Sequence, residues 1–458
     1  MVLGSVSNFL APGYSNRGIF VVVFIIVAAI ITDTSLIKTY DLIGKRESLG
    51  WRTVAFFVIV AISVVGQYLV LGFVKKKRIS DLINPKEIHL NILHRIVTLV
   101  QYSLIALLIF ALFQILVTSY YSTIILSTVT SISYVAATAM LALLSQRFFS
   151  WYKSNRNFVV LLYGLSAASL AINVGFTFFL VSNAFANMPG EIYPTMLGSA
   201  DFSLLSPWAN VLNYSYFISS ITSFLITWIA TALLLHHYSH KLGRAKYWII
   251  LAIPLVYFVS QFVTFFLNMF QPLFQTQPAF YSILVTLLFT LSKPVGGILF
   301  GVAFWTVARS ISHNNVVRNY MVISAYGFVL LFASNQAIVL VTAPYPPFGL
   351  ATVSFMGISS YLVLAGIYSS AISVSLDSGL RKSIRRSIKE HSKFLDSIGS
   401  AQMEQELQSR VLTVTEKTSE RMEEETGVEA SMTEEDMKQY LNDVLKEIKT
   451  SRSNPLNH

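Results

Sequence analysis

Long, uninterrupted apolar runs dominate the first 375 residues. Ten runs are long enough to cross about 30 Å of hydrocarbon as α-helices, in which each backbone group bonds within its own segment. β-Strands are disfavoured, because a transmembrane strand alternates apolar and polar residues and a run such as residues 56–65 does not. The predicted spans are residues 18–37, 53–74, 96–117, 121–145, 158–184, 214–235, 247–270, 280–308, 319–341 and 350–375.

The pattern changes after residue 376. Apolar residues recur at a spacing of three, four or seven, which is typical of a helix, at Leu380, Ile384, Ile388, Leu395 and Ile398. Further apolar runs follow at 407–414 and 437–448, on either side of Gly427. We therefore predict an all-α fold: a polytopic transmembrane helical bundle of about ten helices over residues 1–375, and a soluble tail of two or three helices over residues 376–458.

Composition supports the membrane class. Of 458 residues, 12% are charged and 54% are hydrophobic, whereas about 25% of the residues in a soluble domain are charged. Residues 1–375 hold 20 Lys and Arg with 7 Asp and Glu, while residues 376–458 hold 13 and 16. A soluble enzyme of this length is excluded, because so few charges cannot cover its surface.

Positive charges mark alternate loops of the predicted bundle. Loops 75–95, 146–157, 236–246 and 309–318 carry Lys or Arg, and the loops between them carry none. Cytoplasmic loops are enriched in these residues, so we expect a multi-pass protein of the cell membrane with cytoplasmic N- and C-termini. The loop 38–52 disagrees, because Lys38, Lys45, Arg46 and Arg52 would lie outside. Either this loop is a tolerated exception, or segment 18–37 does not cross fully.

Lys293 is the one lysine or arginine inside a predicted span, near the middle of 280–308. An intramembrane charge is a functional hypothesis by default. Pro294 removes the N–H that would bond the carbonyl of Thr290, and Gly296 and Gly297 weaken the helix further. The sequence therefore predicts a kinked or broken eighth helix, whose carbonyls beside a cation suit an anion site or a gate. The alternative is a structural lysine that pairs with a neighbour, with glycines serving close helix packing.

Other polar residues inside the spans are candidates for the same pocket. Asp33 is the one acid within a span; it is either a counter-charge for Lys293 or an interfacial residue that ends the first helix. Intramembrane amides line the predicted pocket or simply bond neighbouring helices, and these amides are Asn173, Gln261, Asn335 and Gln336.

Two basic clusters are predicted to anchor the bundle on lipid headgroups. The clusters are Lys75, Lys76, Lys77 and Arg78, and Arg381, Lys382, Arg385 and Arg386. Each Lys or Arg near an anionic membrane surface contributes about 1 kcal/mol of attraction. The tail helix that carries the second cluster could instead pair as a short coiled coil, or relay motion of the tenth span to a partner.

Metal and enzyme chemistry are not indicated. The chain has no cysteine, which removes disulfides, thiolate metal sites and cysteine nucleophiles. His236 and His240 are one helical turn apart, but their neighbours are Lys and Arg rather than acids, so we expect no metal site. GxSxG, HExxH, Walker and dinucleotide motifs are missing. We expect no enzymatic activity, no catalytic residue and no cofactor.

Two segments carry a resemblance to a known family. Residues 293–301 read KPVGGILFG, residues 344–349 read PYPPFG, and the span that follows leads into Ser369-Ser370-Ala371 and a basic tail. Over residues 280–400 these features resemble uncharacterised multi-pass membrane proteins of ammonia-oxidising archaea, which carry several copies. The resemblance implies an archaeal membrane protein and transfers no activity and no site residue.

Three functional hypotheses fit these patterns. The first is a sensor or transducer that relays an outer or mid-membrane signal to the cytoplasmic tail. The second is a secondary transporter or channel that uses the break around Lys293, and the third is a non-catalytic membrane scaffold subunit. The expected partners are membrane lipids, a cytoplasmic protein bound through residues 380–450, and a second copy of the chain, but not nucleic acid.

Overall fold

The computed structural model of the chain describes residues 16–36, 49–79, 88–194, 207–236, 243–266, 271–311, 316–336, 345–377, 379–381, 384 and 390–426. The described ranges hold one antiparallel pair of two-residue strands, β1 (Tyr121–Ser122) and β2 (Glu191–Ile192), which are separated in the sequence by two helices. The helices are α1 (Asn16–Ser35), α2 (Leu49–Ile79), α3 (Ile88–Thr118), α4 (Thr123–Asn155), α5 (Phe158–Ala186), α6 (Pro207–Leu235), α7 (Arg244–Phe266), α8 (Gln271–Thr276), α9 (Pro278–Arg309), α10 (Val316–Ser334), α11 (Leu350–Leu376) and α12 (Glu390–Thr426).

The predicted all-α transmembrane bundle is confirmed. Ten of the helices, namely α1 to α7 and α9 to α11, are long and apolar enough to cross a membrane. The span of α1 covers 18 residues, which is about 27 Å of helix at 1.5 Å per residue and close to the hydrocarbon thickness. The chain is therefore a multi-pass membrane protein.

One predicted span differs in a way that matters for the site. The apolar run 319–341 predicts a helix over its whole length, but α10 ends at Ser334. Asn335 and Gln336 follow in non-helical backbone, and residues 337–344 lie outside the described ranges. The run therefore predicts the helix end incorrectly, because apolarity does not report which carbonyls find partners elsewhere.

The centre of the bundle is α11. Its candidate span is 100% buried inside the protein, and that of α10 is 78% buried. Small residues permit this close approach: a Cβ on Gly366 would lie 2.6 Å from the carbonyl oxygen of Tyr320, and one on Gly327 would lie 2.7 Å from the backbone nitrogen of Val363. α4 packs against another side of α11, α9 continues the row beyond α10, and α5 and α6 follow beyond α4.

The strand pair lies at one end of the bundle, called here the strand end. Tyr121 of β1 stacks on Tyr345 with 6.0 Å between ring centroids, and Phe348 is fully buried nearby on the α10–α11 connection. The sequence suggests an external turn at 344–349, but residues 345–349 are buried. Burial raises the pKa of both phenols, Tyr121 and Tyr345, above the usual range, so both are neutral at pH 7.

The tail helix α12 docks at the opposite end, called here the tail end. Residues Phe394, Leu395 and Ile398 of its first half are buried. Trp151 on α4 donates a hydrogen bond to Gln402 (3.0 Å), and Asn155 donates to the carbonyl of Ser397 (3.3 Å). The predicted helical tail is confirmed over 390–426, and the predicted helix at 437–448 lies outside the described residues.

Candidate functional site

Lys293 occupies the middle of the bundle. It is the sixteenth of the 32 residues of α9, and only 7% of it is exposed. Its Nζ donates to the carbonyl of Asn335 (2.8 Å) and to the hydroxyl of Tyr216 (3.1 Å), and it lies 5.2 Å from the centroid of the Tyr216 ring. Lys293 therefore binds the carbonyl that directly follows the last residue of α10, where a helix presents partial negative charge.

The proline beside Lys293 does not break its helix. α9 runs continuously from Pro278 to Arg309, so the predicted break of this helix is wrong, whereas α10 ends at Ser334 inside its apolar run. Pro294 has no N–H for the carbonyl of Thr290, and the side chain of Gln336 donates to that carbonyl instead (2.7 Å). The two helices thus complete each other: α9 supplies the cation for the end of α10, and α10 supplies the donor that α9 lacks.

The glycines after Pro294 serve close packing. A Cβ on Gly296 would lie 2.2 Å from the ring of Phe224 on α6, and one on Gly297 would lie 2.7 Å from Cβ of Phe332 on α10. Gly301 approaches Ala325 in the same way, at 2.8 Å from its carbonyl oxygen. The packing interpretation of these glycines is therefore correct, and they hold α9 close enough to α6 and α10 for Lys293 to reach its partners.

The structure brings the predicted amides to the same place. Asn335 donates to the side-chain oxygen of Asn173 (3.1 Å), and Asn173 donates to Ser219 (3.0 Å). Gln261 on α7 accepts a hydrogen bond from Ser292 (2.8 Å). Lys293, Asn173, Gln261, Asn335 and Gln336 therefore form one connected region, called here the Lys293 network, shared by α5, α6, α7, α9 and the end of α10.

Asp33 lies elsewhere. Its carboxylate accepts hydrogen bonds from the backbone N–H (3.1 Å) and the hydroxyl (2.7 Å) of Thr352, in the first turn of α11. A carboxylate is stabilising at a helix N-terminus, so Asp33 caps α11 at the strand end of the bundle. The alternative in which Asp33 is the counter-charge of Lys293 is therefore wrong, because Asp33 binds the first turn of α11 instead.

Among the residues that the structure describes, two polar atoms at or beside the Lys293 network are buried without a hydrogen bond. They are the side-chain oxygen of Asn335 and the hydroxyl of Tyr134, and Tyr134 lies close enough to Tyr216 to interact with it electrostatically. Lys293 carries three N–H donors and uses two of them in the bonds given above. A buried polar atom without a hydrogen bond costs free energy, and a water molecule or a small polar ligand would satisfy it.

An aromatic column connects this network to the tail helix. Phe300 of α9 lies 4.7 Å from Phe332 of α10, measured between ring centroids. One turn further along α9, Phe304 contacts Phe328 (4.8 Å) and Phe394 of α12 (6.3 Å). The column runs from the residues beside Gly297 to the docked tail.

Phe394 closes the column at the tail end. Its ring lies 5.6 Å from that of Tyr163 on α5 and 6.5 Å from that of Phe148 on α4. Sequence reasoning missed these aromatic residues and Tyr216, because an aromatic residue inside an apolar run reads as core. The one signal was the helical spacing of apolar residues in the tail, which marks Leu395 and Ile398 as a buried face but gives no partner.

The predicted basic anchors have different environments. Lys75 and Lys76 are exposed near the end of α2, as expected for a headgroup anchor; Lys77 and Arg78 continue that helix. Arg381 donates to the carbonyl of Ser375 (2.7 Å) and contacts the sulfur of Met403 on α12, so it links α11 to the tail helix. Lys382, Arg385 and Arg386 lie outside the described residues.

Comparisons with family models, with curated proteins and with solved structures found no match to this chain. The functional argument therefore rests on the geometry of the Lys293 network, the aromatic column and the docked tail.

Proposed function

We propose that this protein is a membrane sensor or transducer that relays a signal from the Lys293 network to its tail. The observation that carries the proposal is the burial of Phe394 of α12 at the end of the aromatic column. A tail that only anchored the last span would have no need to enter the bundle. A tail packed on α4, α5 and α9 changes its environment whenever those helices move.

The proposed location is the cell membrane, with both termini in the cytoplasm. The tail end carries exposed Lys75, Lys76 and Lys153 and the helix ends at Arg244 and Arg309, as cytoplasmic ends do. Asp33, late in α1, lies at the strand end, so α1 begins at the tail end. We also propose that the protein is archaeal and that it has no catalytic activity.

The relay needs an element with two arrangements, and α10 offers one. Its end is held by Lys293 and Gln336 rather than by a continuing helix. A ligand that competes for Lys293 releases the carbonyl of Asn335, and Phe332 and Phe328, about one and two turns below, carry the shift towards Phe304 and Phe394. We expect small shifts to be transmitted because packed aromatic cores have few intermediate arrangements.

Hydrogen exchange of the tail tests the relay. Replacing Lys293 by Met removes the ammonium but keeps the length of the side chain, and it should raise the exchange rate of residues 394–405 at least tenfold. The matched control is Gln101→Leu. Like Lys293, Gln101 is a buried polar side chain that donates to a backbone carbonyl, that of Ser354 (3.1 Å), but it lies away from the column. Equal exchange in the two variants would contradict the proposal.

A transporter or channel is the second candidate, and the unsatisfied atoms of Asn335 and Tyr134 favour it. On this hypothesis the buried ammonium attracts a small anion. Chloride efflux from proteoliposomes should then depend on Lys293 and persist after deletion of residues 400–458. The transducer gives the opposite pattern, with no chloride flux and a tail that responds to Lys293.

A non-catalytic scaffold subunit is the third candidate. It requires no ligand, so Lys293→Met would leave both the exchange of the tail and the chloride flux unchanged. Coiled-coil pairing through Leu407, Val411 and Val414, which are exposed on the second half of α12, would fit a scaffold or a transducer equally.

A further inference from the structure

A groove between α4 and α5 opens on the outer surface of the bundle. Its volume is about 590 Å³, within the range of small-molecule sites. Its lining includes four small residues, Ala142, Ser145, Ala168 and Ala171, which leave space between the two helices. Phe149 and Ile172 also line it.

The polarity of the groove changes along its length. The small apolar residues lie towards the middle of the bundle, while Gln146, Ser150 and Lys153 lie towards the tail end. Gln146 and Lys153 are exposed, and neither makes a hydrogen bond or ion pair with the described residues. Gln146 directly follows the predicted span 121–145, so the glycerol or headgroup region of a lipid can supply a polar partner for its exposed amide.

The groove fits within one leaflet. Ala142 and Lys153 are eleven residues apart on α4, which is about 16 Å of helix, and one leaflet with its headgroup region is about 20–22 Å thick. We propose that this groove binds one anionic phospholipid from the leaflet at the tail end, with an acyl chain along the alanines and the phosphate at Lys153. Gln146 and Ser150 then face the polar glycerol region.

The same segment of α4 holds the tail helix. The hydroxyl of Ser150 accepts a hydrogen bond from Gln405 of α12 (2.8 Å), and Trp151 binds Gln402. A headgroup at Ser150 therefore lies beside the docking contacts of α12. If the protein is the transducer proposed above, on which this step rests, the lipid stabilises the docked tail and so sets the resting state of the transducer.

Lipid retention tests the site without reference to signalling. The full chain is reconstituted in nanodiscs of phosphatidylcholine with 10% phosphatidylglycerol, and retained lipids are counted by native mass spectrometry. Lys153→Ala should lower retained phosphatidylglycerol at least fivefold, and Lys153→Arg should restore it. The matched control is Lys246→Ala, which removes an exposed lysine on α7, outside the groove and outside the basic clusters.

Filling the groove is the second arm. Ala168→Phe should abolish retention, and its thermal unfolding shows whether the bundle is intact. Since Lys153 is exposed, its variants test the site even if Ala168→Phe fails to fold. Equal retention of the two phospholipids, or equal loss in Lys153→Ala and Lys246→Ala, would overturn the proposal and leave annular lipid only. Displacement by free glycerol phosphate would overturn it in favour of a site for a soluble phosphate.

Hydrogen exchange then separates the site from its role. Phosphatidylglycerol should slow exchange of residues 397–405 at least threefold in the wild type and not in Lys153→Ala. Lipid retention without this slowing would overturn the regulatory link alone. Slowing of the tail in a protein whose tail ignores Lys293→Met would overturn the relay and keep the lipid site.

Discussion

The hydrogen bond from Gln336 to Thr290 gives a sharp energetic test of how α9 and α10 complete each other. Gln336→Leu leaves the carbonyl of Thr290 buried without a donor, because Pro294 has no N–H. An unsatisfied buried group costs about 1–3 kcal/mol, and hydrogen bonds between membrane helices average about 0.6 and reach about 1.7 kcal/mol. We expect Gln336→Leu to lower the free energy of unfolding by about 1–2 kcal/mol.

Pro294→Ala should remove most of that cost. Alanine at 294 supplies the N–H that reaches the carbonyl of Thr290, so Gln336→Leu in this background should cost less than about 0.5 kcal/mol. The coupling free energy of the double-mutant cycle is then about 1 kcal/mol. The four proteins are compared by denaturant unfolding in detergent micelles, with Gln101→Leu in both backgrounds as a control without coupling. Equal costs of Gln336→Leu in the two backgrounds would refute the reasoning.

Three further substitutions test packing and capping. Phe394→Ala removes a fully buried ring at a cost of about 3–5 kcal/mol, so trypsin should cut α12 faster, whereas the exposed Val414→Ala should leave the rate unchanged. Gly366→Leu must place a side chain against backbone atoms at 2.6–2.7 Å and should lower the melting temperature by more than 5 °C, while Gly175→Leu, with open space around it, should not. Asp33→Leu leaves the first turn of α11 without its acceptor and should lower the free energy of unfolding by about 1–2 kcal/mol, measured by denaturant unfolding. Asp33→Asn, which keeps an acceptor oxygen, should cost less, and an equal cost for the two variants would contradict the cap.

The spans were predictable because hydrocarbon imposes a length on them. Residues 158–184 and 350–375 predict α5 and α11 to within two residues at each end, since apolarity ends where the chain leaves the hydrocarbon. The end of α10 was not predictable. Ser334, Asn335 and Gln336 lie inside an apolar run, and the helix ends there because Lys293 and Thr290 of another helix provide partners.

The candidate site was predictable in its members but not in its contacts. Lys293 stands out because a charge in an apolar span is rare, and four amides were placed with it correctly. Tyr216 gave no signal, since it is 77 residues away and reads as core. Asp33 was one of two alternatives, a counter-charge for Lys293 or an interfacial residue, and charge alone does not distinguish a lysine partner from a helix end.

Three buried charges of this bundle share one role that local sequence cannot reveal. Lys293 of α9 binds the carbonyl of Asn335 that follows α10, and Asp33 of α1 binds the first turn of α11. Arg52 of α2, which is 4% exposed, donates to the carbonyl of Leu36 that follows α1 (3.2 Å). Each charge belongs to one helix and caps another, and each sign complements the partial charge of the helix end that it meets.

This pattern also bears on the loop that disagrees with the others. Arg52 is one of the four positive charges counted in 38–52, yet it lies inside the bundle, 5.7 Å from the ring centroid of Phe348. A buried arginine that caps a helix is not a loop charge in the sense of the positive-inside rule, which concerns residues left beside the membrane. The disagreement between loop 38–52 and the positive-inside rule therefore weakens without any change in the number of spans. A positive charge whose partners lie inside the protein does not contribute to the charge of the loop beside the membrane.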